Sequence, residues 1–487
     1  SSSRTGYTFE GWYDSAYGGS KIGDAGSWYT PTSSKTLYAH WNQNPSVTIT
    51  KHPSTQTVVE GNEFNFTVEA IGVGTLTYEW YISAYTSPSN WQKVTETTSK
   101  NYSSTASKSL NGKYIYCKVT ATLNGASQSA DSNTAQLKVE TANFSILNSN
   151  KTTYYNTLNA AIQEAVSGGG DYGGGTIKVL KNNTDQSYAD SSKTIAIDTN
   201  GKTLTRTETM TSREGTLTIK GTGTITTSND YPIAATKGGN LIVESGTLTS
   251  EKSTVLSVAT SGNITVKGGY IWSAGRAAVA SNASSTGTIT INNGWIYTDC
   301  KDKAAISIAG NGAVSLNGAK VGNAANNRTG TAGAGTSGGA AVWMESGASL
   351  TVNNSEIFSG KYGGAGISRP VKGSINITGN TNIFANNPDG KCAILLNSQD
   401  CTVTINTTGM LRATHNYVMG AGSNRATYNI NKGQFASKGE YKFYKANSPS
   451  HKGTSKVAKL TFKYMDSYNH ITSYEIIDTF YTLKVNI

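Results

Sequence analysis

Tyr270, Trp272, Trp295, Tyr297 and Phe358 are the side chains of this sequence best suited to do chemistry, and the chemistry they suit is recognition. They fall at one place in successive copies of a short repeat, as Tyr-Ile-Trp-Ser from Tyr270, Trp-Ile-Tyr-Thr from Trp295 and Glu-Ile-Phe-Ser from Glu356. Residues two apart in a strand point the same way, so the rings flanking Ile271 and Ile296 should face outward together as a two-by-two patch. Phe358 extends it two copies on, across Lys320 and Gly322. Sugar rings lay their C–H faces on such platforms, and Tyr and Trp also dominate protein-binding hot spots. Most other copies carry Thr or Asn at these positions, so exposed tryptophans here need a reason. The competing expectation is that the rings pack beneath the loop Gly322–Gly339 or under the C-terminal strands.

Acid–base chemistry is the other possibility, and it needs at least a pair of carboxylates on one face. The outward pairs flanking the main apolar position of each copy are Thr218/Lys220, Ile242/Glu244, Thr265/Lys267, Thr290/Asn292, Ser315/Asn317, Thr351/Asn353, Asn376/Thr378, Thr404/Asn406 and Asn429/Asn431. One carboxylate in nine copies cannot make that pair. The following strand offers Glu356, and one loop offers Asp299 and Asp302, with Glu345 possible as a neighbour. No catalytic site is expected from these. Four cysteines without CxxC or His-rich spacing argue against a zinc site and a disulfide framework, so neither metal nor cofactor is expected. Cys392 and Cys401 are near enough in sequence to be weighed as one disulfide.

These residues sit on a repeat. Anchored on its second apolar residue, the series runs Ile219, Val243, Val266, Ile291, Leu316, Val352, Ile377, Ile405, Ile430. Most steps are 23–25 residues, with 36 from Leu316 to Val352 and 28 from Ile377 to Ile405. Apolar and polar residues alternate within each copy, the period of a half-buried strand, and a third short apolar run precedes most copies. Three short strands per turn, joined by Gly and Asn corners, make a coil of parallel strands in which each turn buries its apolar face on its neighbours. The segment Asn156–Val166 predicts a capping helix, with Leu158, Ile162, Ala165 and Val166 on one face, Asn156 capping its first turn and Gly168–Gly170 stopping it. Gly174–Leu180 then begins the coil.

On these residues, 145–440 resembles a right-handed parallel β-helix of the pectate-lyase-like superfamily. In that superfamily lyases and hydrolases gather Asp or Glu on one strand stack, often with Ca²⁺ and a basic residue. The resemblance of Arg369-Pro370 to the arginine of pectate lyases is faint. Residues 45–140 resemble a bacterial immunoglobulin-like domain. Phe64, Phe66 and Val68 alternate inward, Tyr78-Glu-Trp80-Tyr81 matches the strand with the core tryptophan, and Gly112–Val119 matches the strand carrying Cys117. An apolar residue replaces the partner cysteine, and Ile115 stands where the corner tyrosine is usual. Residues 1–43, through Gly6-Tyr-Thr-Phe-Glu-Gly-Trp-Tyr13 and Thr36-Leu-Tyr-Ala-His-Trp41, resemble the second half of a Listeria–Bacteroides repeat, a small β-grasp-like module of Gram-positive gut-bacterial surface proteins. Its first strands are missing, so the sequence is expected to be a piece of a longer protein. Residues 441–487 read as a C-terminal β cap or the start of another module.

The whole is therefore expected to be all-β: a parallel β-helix preceded by an Ig-like sandwich and a truncated β-grasp-like repeat. Charged residues are 15% of the sequence and the net charge is +11. That charge has no Lys/Arg cluster of the kind nucleic-acid binders show, and it suits either acidic glycan surfaces or mere solubility. The resemblances imply an extracellular, cell-wall-anchored, non-catalytic adhesin fragment. It would be monomeric, without nucleic-acid partners or membrane insertion, and its β-helix would bind a host glycan or glycoprotein such as a mucin or immunoglobulin. A polysaccharide lyase or glycoside hydrolase, and a structural stalk, are the alternatives.

Overall fold

The computed structural model of the protein describes residues 3–86, 90–97, 99–148, 151–167, 175–228, 232–300, 303–323, 339–360, 364–386, 392–396, 401–413, 418–421, 427–437, 444–446, 455–457, 460–465 and 471–476. The chain divides into two compact units, Ser1–Ala142 and Asn143–Ile487. Strands dominate both. Among the described residues no helix is long and apolar enough to cross a membrane.

In the first unit, strands Tyr7–Tyr13, Lys21–Gly23 and Tyr38–Gln43 form an antiparallel sheet with the first strand central. Phe9 meets Trp12 and Trp41 edge-on at 5.4 and 5.2 Å. The next strands build a sheet in which Thr75–Ser83 pairs antiparallel with Tyr114–Leu123 and Gln56–Val59 runs parallel to Ala135–Glu140. Glu63–Thr67 pairs with Asn101–Thr105 in a separate ladder. Alternation sends Phe64, Phe66, Val68, Trp80, Ile115, Cys117 and Val119 into one core. Cys117 lies beside Trp80 in register and is a thiol.

The second unit is a parallel β-solenoid, and its first strand stack is the anchor ladder expected from the repeat. Ile219, Val243, Val266, Ile291, Leu316, Val352, Ile377, Ile405 and Ile430 follow one another in register. Two earlier turns precede them, because Ile177 pairs with Ile197 and Ile197 with Ile219. A second stack carries Ile225, Leu248, Ile271, Ile296, Val321, Ile357 and Ile383. A third carries Ile233, Leu256, Val279, Ile306, Val342, Ile367 and Ile394. All these stacked apolar side chains whose burial is described share one continuous core.

The Ser or Thr that closes each copy has a physical task. In the second stack Thr227, Ser250, Ser273, Thr298 and Ser359 point inward and are buried. Ser273 Oγ donates to the Ser253 carbonyl, Thr298 Oγ1 to that of Arg276 and Ser359 Oγ to that of Gly364. The hydroxyls thus satisfy backbone groups where the chain turns toward the third stack. The same corner carries the largest change in length. Between the second and third stacks the intervals are 228–232, 251–255, 274–278, 299–305, 324–341, 360–366 and 386–393, so the irregular 36-residue step is an insertion at one corner.

The helix spans Leu158–Ser167, with Leu158, Ala161, Ile162 and Ala165 buried against the first turns. Its capping differs from the expectation. Thr157 Oγ1, not Asn156, accepts the Ala160 N–H at 3.2 Å, and the Leu158 and Asn159 N–H groups are held by Asp185 Oδ2 and Ser187 Oγ at 2.8 and 3.0 Å. Asp185 in turn makes a fully buried ion pair with Arg206. A carboxylate at the positive end of the helix is favoured, and the guanidinium keeps it from being a lone buried charge.

At the far end parallel stacking runs past residue 440. Tyr444–Ala446 pairs with Met419–Ala421 and Ser455–Val457 with Tyr428–Ile430, before Leu460–Met465 and Ile471–Ile476 close as an antiparallel pair. Residues 477–487 lie outside the described residues. So does most of the long loop, 324–338, under which the aromatic rings could have packed.

Candidate functional site

The second stack presents two outward positions on every turn. Through the first turns they are threonines, Thr203/Thr205, Thr224/Thr226 and Thr247/Thr249. They then become Tyr270/Trp272 and Trp295/Tyr297, with Tyr270 in register with Trp295 and Trp272 with Tyr297. The apolar residues between them, Ile271 and Ile296, are fully buried. The alternation that fills the core therefore places the four rings on the outer face.

The rings form a connected group. Tyr270 and Tyr297 have centroids 5.7 Å apart, and Trp295 meets Tyr297 edge-on at 6.0 Å. Trp295 is 46% exposed, the most open of the four; Tyr270, Trp272 and Tyr297 are half-buried. The Trp272 indole N–H donates to Asp299 Oδ2 at 2.7 Å, which orients that ring. Burial pushes the Tyr297 phenol up to about 12, with the charges of Glu356 and Tyr270 adding to the effect. Tyr297 is neutral at any physiological pH and remains a hydrogen-bond donor.

Phe358 is linked to this group through Gly322. A Cβ at Gly322 would lie 2.7 Å from Tyr297 Cε1, so the tyrosine ring occupies the space over the glycine, toward the turn of Phe358. Lys320, which follows Trp295 in register, directs its ammonium over the Trp295 ring, 4.6 Å from the centroid. Glu356 is the next residue in that column. Among the described residues neither Lys320 nor Glu356 makes an ion pair, so the ammonium favours the ring over the neighbouring carboxylate.

One residue of this face escaped the sequence reading. Phe384 pairs directly with Phe358 on the following turn and is half-buried on the same outward side. Asn382-Ile-Phe384 carries the polar–apolar–aromatic order of Glu356-Ile-Phe358, and this was the available signal. Beyond it Arg412 and then Ala436 take the next places in that column.

The carboxylates considered for acid–base work are scattered. Asp299 is engaged by Trp272, Glu356 and Glu345 are exposed on different stacks' margins, and Asp302 lies outside the described residues. Arg369 points into the solenoid, fully buried, with Nη2 donating to the carbonyls of Ser346, Ala348 and Lys372 and Nε to that of Val371. It is a clamp on the corner between the third and first stacks, which removes it from any surface role. Cys392 and Cys401 are buried thiols rather than a disulfide, and Cys401 Sγ donates to the Val371 carbonyl at 2.9 Å. Among the described residues no group of His, Cys, Asp or Glu is arranged to hold a metal ion.

Residues 1–40 match the family model of the Listeria-Bacteroides repeat domain. No curated protein matches the chain. Among solved structures, the chain is similar to pectate lyase PelI from Erwinia chrysanthemi in complex with tetragalacturonic acid, at 12% identity over 90% of this chain and 95% of that one, with a TM-score of 0.13. It is also similar to a pectate lyase from Pectobacterium carotovorum, at 13% identity over 86% and 94%, again with a TM-score of 0.13. Likeness at this level assigns neither substrate nor reaction to this chain.

Proposed function

We infer that this protein is a non-catalytic adhesin of the bacterial cell surface, and that the second strand stack of its solenoid binds host glycans or the glycans of a host glycoprotein. The observation that carries the reading is the outward pairing of Tyr270/Trp272 with Trp295/Tyr297 on consecutive turns, with Trp295 nearly half exposed. The turns just before them carry threonine at the same outward positions, and these rings add nothing to the solenoid core. They supply broad apolar faces flanked by hydrogen-bonding groups at Asp299, Lys320 and Glu356, the composition a sugar ring requires: apolar C–H on one side and hydroxyls at the edge. The Listeria-Bacteroides match at residues 1–40 supports the surface location, since that module is typical of surface proteins. The engagement of Asp299 and the burial of Arg369 speak against a hydrolase or lyase.

The test is a glycan array spanning mucin-type, sialylated and sulfated structures, followed by titration of the best ligand against Trp295→Ala. The variant should lose about 2 kcal/mol of binding, roughly 30-fold in Kd, with its melting temperature unchanged. A variant that melts early and binds normally when folded would return these rings to packing.

A further inference from the structure

We propose that the ligand of this face is a linear, extended oligosaccharide lying along the solenoid axis and engaging a strip of five turns from Trp272 to Phe384. The inference rests on the glycan-binding reading above and deepens it. Within the second stack Trp272, Tyr297, Gly322, Phe358 and Phe384 occupy one column in unbroken register. The one turn without a ring is covered, because Tyr297 leans over Gly322. Turns of a parallel stack repeat at about 4.8 Å, so the strip is about 19 Å long.

The strip has a direction. Parallel to the ring column runs a second one, Trp295, Lys320, Glu356 and Asn382, whose polar groups change at every turn while the aromatic side persists. Such an edge offers donors and acceptors to the hydroxyls of successive sugars, while the rings meet their C–H faces. A branched or terminal sugar would use one or two turns and leave Phe358 and Phe384 without a task. Asparagine or threonine would serve there as they do on the first stack. Arg412 and Ala436 follow Phe384 on the far side, and Thr249 precedes Trp272. The aromatic run is therefore bounded at both ends, which sets a finite length for the bound segment.

The experiment is calorimetric titration of the full chain with two linear probe series, β-1,4-linked N-acetylglucosamine oligomers of one to six sugars and hyaluronan fragments up to matching length. In at least one series affinity should tighten by about tenfold from the shortest to the longest fragment and level off near four or five sugars. Phe384→Ala should cancel only the gain of the longest fragments, and Phe384→Leu, which keeps the bulk without the ring, should do the same if alanine disturbs folding. Equal affinity for short and long fragments, or a Phe384 variant that weakens the shortest fragment as much as the longest, overturns the lengthwise mode while leaving the glycan-binding face in place. Binding to neither series, nor to any array glycan, or binding untouched by Trp295→Ala, overturns the parent reading and this one with it.

Discussion

Burial moves the titration of two side chains, Cys117 and Tyr297, to higher pH, and the consequences are measurable. Burial in the core of the first unit pushes the Cys117 thiol from 9.0 to about 12. Thiolate is the reactive form, so iodoacetamide at pH 8 should leave Cys117 unmodified in the native chain while labelling Cys300, which is half-exposed. Mass spectrometry of the labelled peptides checks this. For stability the sign follows from which state holds the proton. Between pH 9 and about 12 the unfolded chain has released the Cys117 proton and the folded chain retains it, so folding stability falls as pH rises through that window. Tyr297 acts the same way between 10.0 and about 12. Alkaline melting curves should therefore show a loss that Cys117→Ala and Tyr297→Phe each reduce.

Strands and corners set the energetics of the solenoid. Ile291 lies midway along the anchor ladder, fully buried between Val266 and Leu316. Ile291→Ala should cost about 2–5 kcal/mol through lost burial and the cavity left behind, read as a shift in denaturant midpoint at unchanged slope. At the capped end, Asp185→Ala leaves the Arg206 guanidinium buried without its partner and removes the acceptor of the Leu158 N–H. Loss of one partner of a buried pair costs about 3–5 kcal/mol, so this variant should be among the least stable single substitutions in the second unit. Gly322→Ala tests the opposite situation. The added methyl would lie 2.7 Å from the Tyr297 ring, which must shift to admit it, so glycan binding should weaken by more than thermal stability falls.

Across the molecule, every residue of the proposed strip belongs to the second unit, Asn143–Ile487. Residues 143–487 expressed alone should bind the array ligand with the affinity of the full chain. A large loss would place part of the binding surface in the first unit. Incubation with pectic, algal and host polysaccharides, with and without Ca²⁺, should release no new reducing or unsaturated ends. Turnover abolished by Asp299→Asn or Glu356→Gln would move those carboxylates into catalysis.

How much of this was legible in advance follows a physical division. The anchor ladder from Ile219 to Ile430 could be read from the repeat because stacking of identical turns is a one-dimensional rule: the period of the sequence is the period of the structure. The four-ring patch was legible for the same reason, since strand alternation sends the neighbours of a buried Ile outward. Repeat spacing was silent wherever a residue departs from its column. Arg369 and Arg206 occupy inward positions that most turns fill with small or apolar side chains, and only the carbonyls and the carboxylate gathered around them explain why a guanidinium is stable there. Helix capping by Asp185 joins residues 27 apart, which no local cap rule anticipates. Tyr297 leaning over Gly322, and Lys320 choosing the Trp295 ring over Glu356, are decided by which neighbour leaves room and which face is open. Alternation along a strand sets the side to which a residue points; packing against the next turn sets what it touches once there, and that depends on side chains 20 to 36 positions away.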